Sequence, residues 1–174
     1  MSLSVLYEDN HCLAVCKPAG LLTQGVPGGI PSLESQVRDY LKVKYHKAGN
    51  VYLGIPHRLD RPVSGVVLFA RSSKAAARLA EQFRERQVEK VYVGLVEITG
   101  GAPPETGEWH DFLRKIQAEA RSEIVNAETP EARSASLRYR RLGQTDQLAL
   151  LRLEPLTGRM HQLRLQCASR GYPI

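Results

Sequence analysis

The residues best suited to chemistry lie together in residues 57–65, with the sequence HRLDRPVSG. This segment surrounds one carboxylate, Asp60, with His57, Arg58 and Arg61. An aspartate beside proline and glycine is typical of a turn. A turn alone does not require three basic side chains around one carboxylate. Asp60 is therefore either a turn former or, if the segment borders a cleft, a candidate nucleophile or base.

A second group of candidates lies in residues 157–164, TGRMHQLR. Burial raises the pKa of a carboxylate, whereas a nearby arginine keeps the carboxylate charged. Arg159, at the expected start of a helix, and Arg164, further along it, are candidates for that partner. The alternative is that both arginines solvate a surface helix. His161 is more typical of a structural hydrogen-bonding residue than of a catalyst.

Two further residues have open roles. Tyr92 lies in the apolar run KVYVGLV and is either a core side chain or the wall of a pocket that stacks on a base. Lys17, in CKPAG, follows an apolar run and is either a surface lysine or a phosphate contact. The sequence contains no Walker loop, dinucleotide fingerprint, nucleophile elbow or zinc signature. We therefore expect chemistry without a cofactor and without a metal.

Hydrophobic periodicity predicts the elements that must position these residues. Apolar or alternating runs predict strands at residues 3–8, 12–18, 66–70, 90–98, 134–142 and 148–155, with a shorter strand at 109–116. Helical spacing predicts helices from the N-cap Ser32 to a point before Gly49, over 73–87 with Ser73 as N-cap, and over 160–168. Residues 118–132 fit neither pattern. Hairpins with interspersed helices predict an α+β fold with a mixed, mainly antiparallel sheet.

Bulk composition limits the class of protein. The 174 residues suit a single domain, 1–174, and 43% hydrophobic with 24% charged residues is ordinary for a globular chain. The net charge of +6 favours a polyanionic partner, although such an excess also occurs in proteins that bind no nucleic acid. Three cysteines cannot all pair with one another, which predicts a reducing cytoplasm. No signal peptide or membrane-spanning run is expected.

Four segments together resemble the RluA-type family of RNA pseudouridine synthases. VLYEDNHCLAVCKPAGLL is similar to the first segment of the family, and GIPHRLDRPVSGVVLFARS to the catalytic segment, usually H-R-L-D-x-x-T-S-G. KVYVGLV resembles the tyrosine strand, and LEPLTGRMHQLRLQCASRGYPI the arginine segment. The match covers almost the whole chain in the family's order, which makes it far more specific than any one motif.

The resemblance implies a role for each matching residue. Asp60 would be the catalytic aspartate, Arg164 would pair with it, and Tyr92 would contact the flipped uracil. Arg58 would help to extrude the nucleotide, and Leu165 would pack against the base. His57, Arg159 and Lys17 are further candidates for binding RNA. The implied reaction is isomerisation of uridine to pseudouridine in ribosomal or transfer RNA, by a monomer that flips the base and needs no cofactor.

The sequence departs from the family pattern at three places. Val63 stands where threonine is usual, and Gln166 where histidine is common. The chain stops at GYPI, where the family continues through a Gly-Asp stretch, which implies that C-terminal strands are missing. No N-terminal RNA-binding module is expected, because the first segment begins almost at Met1. The alternatives are a catalytically silent RNA-binding relative and a carboxylate hydrolase, which usually needs two acidic groups.

Overall fold

Two antiparallel sheets organise the chain, one with three strands and one with five. The computed structural model describes residues 3–26, 28–119 and 121–174. The chain divides into two compact units, Met1–Gln87 and Val88–Ile174. The expected α+β class with mainly antiparallel strands is confirmed. The single catalytic domain over 1–174 stays a prediction.

The first unit contains a sheet with the strand order β1-β2-β3 and two helices. Its elements are β1 (Ser4–Glu8), β2 (Cys12–Lys17), α1 (Leu33–Lys44), β3 (Gly65–Ala70) and α2 (Ser73–Arg84). The carboxylate of Asp9 closes the β1–β2 turn by accepting the backbone N–H groups of His11 and Cys12, at 2.8 and 2.6 Å. These two hydrogen bonds hold the turn between the strands at Asp9 and Asn10.

Serine side chains start both helices of the first unit. At α1 the Ser32 hydroxyl accepts the backbone N–H of Ser35, as predicted, and the Ser35 side chain accepts the N–H of Ser32 in return. At α2 the prediction was wrong by one residue. Ser72, whose backbone is extended, accepts the N–H of Ala75, and Ser73 is the first helical residue.

The core of the first unit lies between the sheet and α1. Its fully buried side chains include Leu13, Val15, Leu33, Val37 and Phe69. Gly54 forms an antiparallel bridge with Ala70, and a Cβ built on Gly54 would lie only 2.6 Å from the Cβ of Ala76. Glycine therefore lets the start of α2 approach the bridge. This bridge fixes the chain three residues before the HRLDRPVSG segment.

The second unit contains the sheet β4-β8-β7-β5-β6 and one short helix. Its strands are β4 (Tyr92–Glu97), β5 (Thr106–Ile116), β6 (Arg121–Val125), β7 (Arg133–Gln144) and β8 (Leu148–Pro155). A 3₁₀ turn, Gln117–Glu119, joins β5 to the segment before β6, and α3 (Gln162–Ala168) follows β8. β5 begins earlier than predicted, β6 falls in the unassigned stretch, and α3 starts at Gln162 and not at residue 160.

The core of the second unit packs one face of its sheet against α3. Trp109, Leu137, Leu151 and Cys167 are among its buried members. A Cβ on Gly107 would lie 2.5 Å from the Tyr139 ring, so glycine gives that ring its place on the sheet. Across the residues described, no helix is both long enough and apolar enough to cross a membrane.

Candidate active site

His57 anchors the start of the HRLDRPVSG segment. Its Nε2 accepts the backbone N–H of Leu68 in β3 at 3.0 Å, and its ring stacks on Phe83 of α2 with centroids 4.8 Å apart. The imidazole thus ties the segment to a strand and to a helix of the same unit. The expected contribution of His57 to RNA binding stays a prediction, and these contacts add a structural role.

The backbone around Asp60 is held by the loop that follows β2. The Thr23 hydroxyl donates to the carbonyl of Leu59 at 2.7 Å and accepts the N–H of Leu59 at 3.1 Å. On the other side of Asp60, the carbonyl of Arg61 accepts the N–H of Gly20 at 2.8 Å, and Arg61 Nε donates to the carbonyl of Gly20 at 2.9 Å. Asp60 therefore lies between two fixed residues.

Lys17 is buried, with 0% of its surface exposed, beneath the same loop. Its ammonium donates to the carbonyls of Pro18, Leu21 and Arg61 at 3.0, 2.7 and 3.1 Å. Burial lowers the pKa of Lys17, and the charge of Asp60 acts in the opposite direction. The surface position that the sequence left open for Lys17 is wrong, because three carbonyls hold the ammonium inside the fold, and its expected contribution to RNA binding stays a prediction.

A turn sets the direction of the chain after Asp60. The backbone N–H of Val63 donates to the carbonyl of Asp60 at 3.0 Å. Gly65 then has a φ of +142°, a conformation that favours glycine, where the chain enters β3. Asp60 is half-buried, whereas Arg58 is exposed. A half-buried carboxylate on a fixed backbone suits a catalytic group, since its geometry must be maintained closely.

The other predicted residues belong to the second unit. Tyr92 opens β4, is half-buried and packs against the second core. Arg159 lies in the loop before α3 and not at its start, and its Nε donates to the carbonyl of Ser134 at 2.9 Å. Within α3, Arg164 is exposed and Leu165 is half-buried.

A buried polar network fixes the loop before α3. Gln162, only 4% exposed, accepts the Thr157 hydroxyl at 2.8 Å and the N–H of Arg159 at 3.0 Å through one oxygen. Its amide nitrogen donates to the carbonyl of Ser136 in β7 at 3.1 Å and to the side chain of Gln166 at 3.0 Å. One glutamine thus holds the Arg159 backbone and the first turn of α3 against the sheet.

Gln166 continues this network toward β5. Its amide nitrogen donates to the Asp111 carboxylate at 2.7 Å, and Arg170 pairs with the same carboxylate at 3.0 Å. The Arg170 guanidinium also lies 4.9 Å from the centre of the Trp109 ring. The departure from the family pattern at Gln166 is therefore accommodated by amide hydrogen bonds of good geometry.

His161 precedes α3 with its backbone in the left-handed region, which is uncommon for residues other than glycine. Its φ and ψ are 56° and 22°, in the left-handed region, and its side chain makes no capping hydrogen bond to α3. Such a conformation costs free energy and persists where surrounding contacts impose it. The Gln162 side chain accepts the N–H of Arg159 and so restrains the chain two residues before His161.

The structure thus places Lys17, His57, Arg58 and Asp60 in the first unit. Lys17 and the neighbours of Asp60 are bonded to the loop after β2, and His57 is bonded to β3. The structure places Tyr92, Arg159, Arg164 and Leu165 in the second unit. Sequence reasoning missed Thr23 and Gln162. A threonine in a Gly/Pro-rich loop and a glutamine in a helix carry no sequence signal for burial.

Comparisons with known proteins identify the family to which the chain belongs. Residues 11–169 match the family described as RNA pseudouridylate synthase. The ribosomal large subunit pseudouridine synthase C of Vibrio parahaemolyticus is 31% identical over 173 residues, covering 98% of this chain and 50% of that protein. The protein of that name in Escherichia coli is 31% identical over 176 residues with the same coverage. The chain spans about half the length of the curated relatives it matches.

Two solved structures have a similar fold. The human RNA pseudouridylate synthase domain containing 4 matches with a TM-score of 0.80 and 25% identity, over 98% of this chain and 66% of that one. The human RNA pseudouridylate synthase domain containing 1 matches with a TM-score of 0.75 at 23% identity, over the same shares. The second likeness supports the fold alone.

Proposed function

Because the chain belongs to the RNA pseudouridylate synthase family, we propose that it isomerises uridine to pseudouridine in RNA, with Asp60 as the catalytic carboxylate. The observation that supports this most is the fixed backbone around Asp60. Leu59 and Arg61 are both hydrogen-bonded to the loop after β2, inside the family-matching region. A carboxylate held in this way is suited to attack or to stabilise one reacting centre.

The proposed reaction requires few groups besides this carboxylate. The N1–C1′ bond of uridine breaks and C5 of the same uracil bonds to C1′. The C5 proton leaves, and N1 gains a proton. No group is donated and nothing is oxidised, so we propose a reaction without a cofactor. The target base must be flipped out of the RNA, at a cost of roughly a few kcal/mol that is smallest in loops.

We further propose that Tyr92 and Arg164 take part in catalysis. Arg58, Arg159 and Leu165 would contribute to binding the RNA. We propose that 1–174 acts as one catalytic domain. The monomeric state and the cytoplasmic location expected from the sequence stay predictions.

Ribosomal RNA is the substrate that we propose ahead of transfer RNA. The curated relatives from Vibrio parahaemolyticus and Escherichia coli are both named for the large ribosomal subunit. The net charge of +6 is compatible with either RNA, since phosphates attract lysine and arginine whatever the sequence.

The direct test is release of tritium from large-subunit ribosomal RNA labelled at uracil C5. Isomerisation replaces the C5–H bond, so turnover sends the label into water. We expect release by the wild-type chain and a loss of at least about 1,000-fold in Asp60→Asn, because the amide cannot act as a nucleophile or base. Asp39→Asn, an exposed change on α1, is the matched control and should behave as wild type.

The outcomes separate the candidate functions. Turnover by Asp60→Asn at the wild-type rate would exclude Asp60 as the catalytic group. Tyr92→Phe and Arg164→Ala in the same assay test the two other catalytic assignments, which fail if those variants are fully active. A wild-type chain that binds RNA but releases no tritium from either ribosomal or transfer RNA would instead support a silent RNA-binding relative.

A further inference from the structure

Thr23 is attached to the residue before Asp60 through its side chain alone. It is 3% exposed, and its single hydroxyl both donates to the carbonyl and accepts the N–H of Leu59. This is the pair of hydrogen bonds that a neighbouring strand would make to one residue. The hydroxyl therefore fixes the orientation of the backbone directly before Asp60.

Thr23 is itself anchored to the first helix. Its carbonyl accepts the N–H of Glu34 in the first turn of α1 at 3.0 Å, and the carbonyl of Leu22 accepts the N–H of Leu33 at 2.8 Å. α1 is held in turn by its buried stripe in the first core. The Thr23 hydroxyl thus links a rigid helix to the backbone at Leu59.

Three successive carbonyls around Asp60 are restrained. The carbonyl of Leu59 accepts from Thr23, that of Asp60 from the N–H of Val63, and that of Arg61 from the N–H of Gly20. The peptide planes on either side of the Asp60 Cα are therefore fixed. The carbonyls of Asp60 and Arg61 accept backbone N–H groups, whereas the bonds at Leu59 are made by a side-chain hydroxyl.

We propose that Thr23 is a positioning residue for Asp60, an inference that rests on the proposed function. The Thr23 hydroxyl does not touch the RNA in this role. It sets where the Asp60 carboxylate points, and a displacement of about 1 Å at a reacting group costs on the order of 100-fold in rate. A residue that acts in this way changes the turnover rate and leaves binding of the RNA intact.

The test compares Thr23→Val, which keeps the shape and removes the hydroxyl, with Thr23→Ser, which restores the hydroxyl. On RNA labelled at uracil C5, we expect Thr23→Val to lower kcat about 10- to 100-fold with KM for RNA within about threefold. Thr23→Ser should keep kcat within about threefold of wild type. Thr23→Ala, which leaves room for a water, provides a second loss of the hydroxyl if the valine variant folds poorly.

A structural control distinguishes positioning from general stability. Ser72→Ala removes the hydroxyl that caps α2 and should lower the melting temperature while leaving kcat unchanged. The inference is overturned by wild-type kcat in Thr23→Val, by a loss that Thr23→Ser does not restore, or by an equal loss in Ser72→Ala. It is also overturned if neither Thr23→Val nor Thr23→Ala folds, since Thr23 would then act on stability.

The wild-type chain and Asp60→Asn are assayed beside these variants. An inactive wild-type chain would overturn the proposed function, and this inference with it. An active wild-type chain, an inactive Asp60→Asn and a fully active Thr23→Val would overturn the positioning role of Thr23 alone.

Discussion

At the scale of single residues, Lys17 shows how a charged side chain becomes part of the fold. Lysine is almost never fully buried unless it is paired. Here the three N–H groups of the ammonium match three backbone carbonyls, two in its own loop and one at Arg61. Lys17 therefore stabilises the contact between the loop after β2 and the segment that carries Asp60.

We expect Lys17→Met to destabilise the chain by roughly 2–4 kcal/mol, because three carbonyls lose their donor and methionine supplies none. Urea unfolding followed by circular dichroism measures this difference. Lys74→Met, an exposed change in α2, should alter the free energy of unfolding by less than about 0.5 kcal/mol. Equal stability of Lys17→Met and the wild type would show that these hydrogen bonds are not needed.

At this scale the sequence indicated candidate residues for the site, but not the contacts that surround them. Asp60 stood out because its neighbours are basic, and this information is local. The environments of Lys17 and Thr23 depend on contacts with residues about 40 positions away. No periodicity reports such contacts, so the sequence did not indicate the burial of Lys17, and Thr23 was overlooked.

At the scale of elements, a shared carboxylate joins β1 to α1. Glu8 at the end of β1 accepts the ammonium of Lys44 at 2.7 Å and the hydroxyls of Tyr40 and Tyr45 at 2.7 and 2.6 Å. Arg71, just after β3, pairs with the same carboxylate at 3.1 Å. Burial raises the pKa of Glu8, but the hydrogen bonds from Lys44, Tyr45 and Tyr40 outweigh it and lower the pKa to about 2.

This network predicts how the free energy of unfolding changes with pH. The pKa of Glu8 is lower in the folded chain than the ordinary value of 4.5, so its contribution is complete above about pH 5 and disappears as the pH falls toward 2. We expect Glu8→Gln to be less stable than wild type by about 2 kcal/mol at pH 7, with the difference vanishing near pH 2. Urea unfolding across pH 2–7 measures it.

An exposed glutamate is the control for that series. Glu81→Gln removes a carboxylate that lies 3.8 Å from Arg84 with both side chains largely in water, so it should cost less than about 0.5 kcal/mol at every pH. If the difference in free energy of unfolding between wild type and Glu8→Gln did not change with pH, the lowered pKa of Glu8 would be contradicted.

The same scale shows why some elements were predictable and others were not. α1 and α2 carry serine caps and clear helical spacing. The alternation of apolar and polar residues is hard to see in β5, because the residues that face inward include Asp111 between Trp109 and Leu113. Asp111 is acceptable there because Gln166 and Arg170 pair with it. In β6 the buried residue is Ser122, so the strand lacks an apolar row altogether.

At the scale of the whole molecule, part of the net charge of +6 lies on one face of the second sheet. On β7 and β8, Arg140 and Arg152 lie directly opposite each other, an arrangement that is unfavourable for like charges. Arg152 pairs with Glu154 at 2.5 Å, and Arg138 pairs with Glu108 at 3.3 Å. In the described part of the chain, Arg140 is exposed and has no carboxylate partner. These residues line a shallow depression of about 780 Å³.

Because an unpaired guanidinium favours a phosphate, we expect Arg140 to contribute to RNA binding. In Asp60→Asn protein, which should bind RNA without consuming it, log affinity should fall linearly with log salt concentration. Adding Arg140→Ala should weaken binding at low salt and reduce that slope by about 1, the amount expected for one lost phosphate contact. Arg84→Ala removes the same charge from an arginine already paired on α2 and should leave the slope unchanged. Equal slopes for both variants would mean that the RNA does not reach this face. An affinity for RNA that does not depend on salt would contradict binding through phosphates altogether.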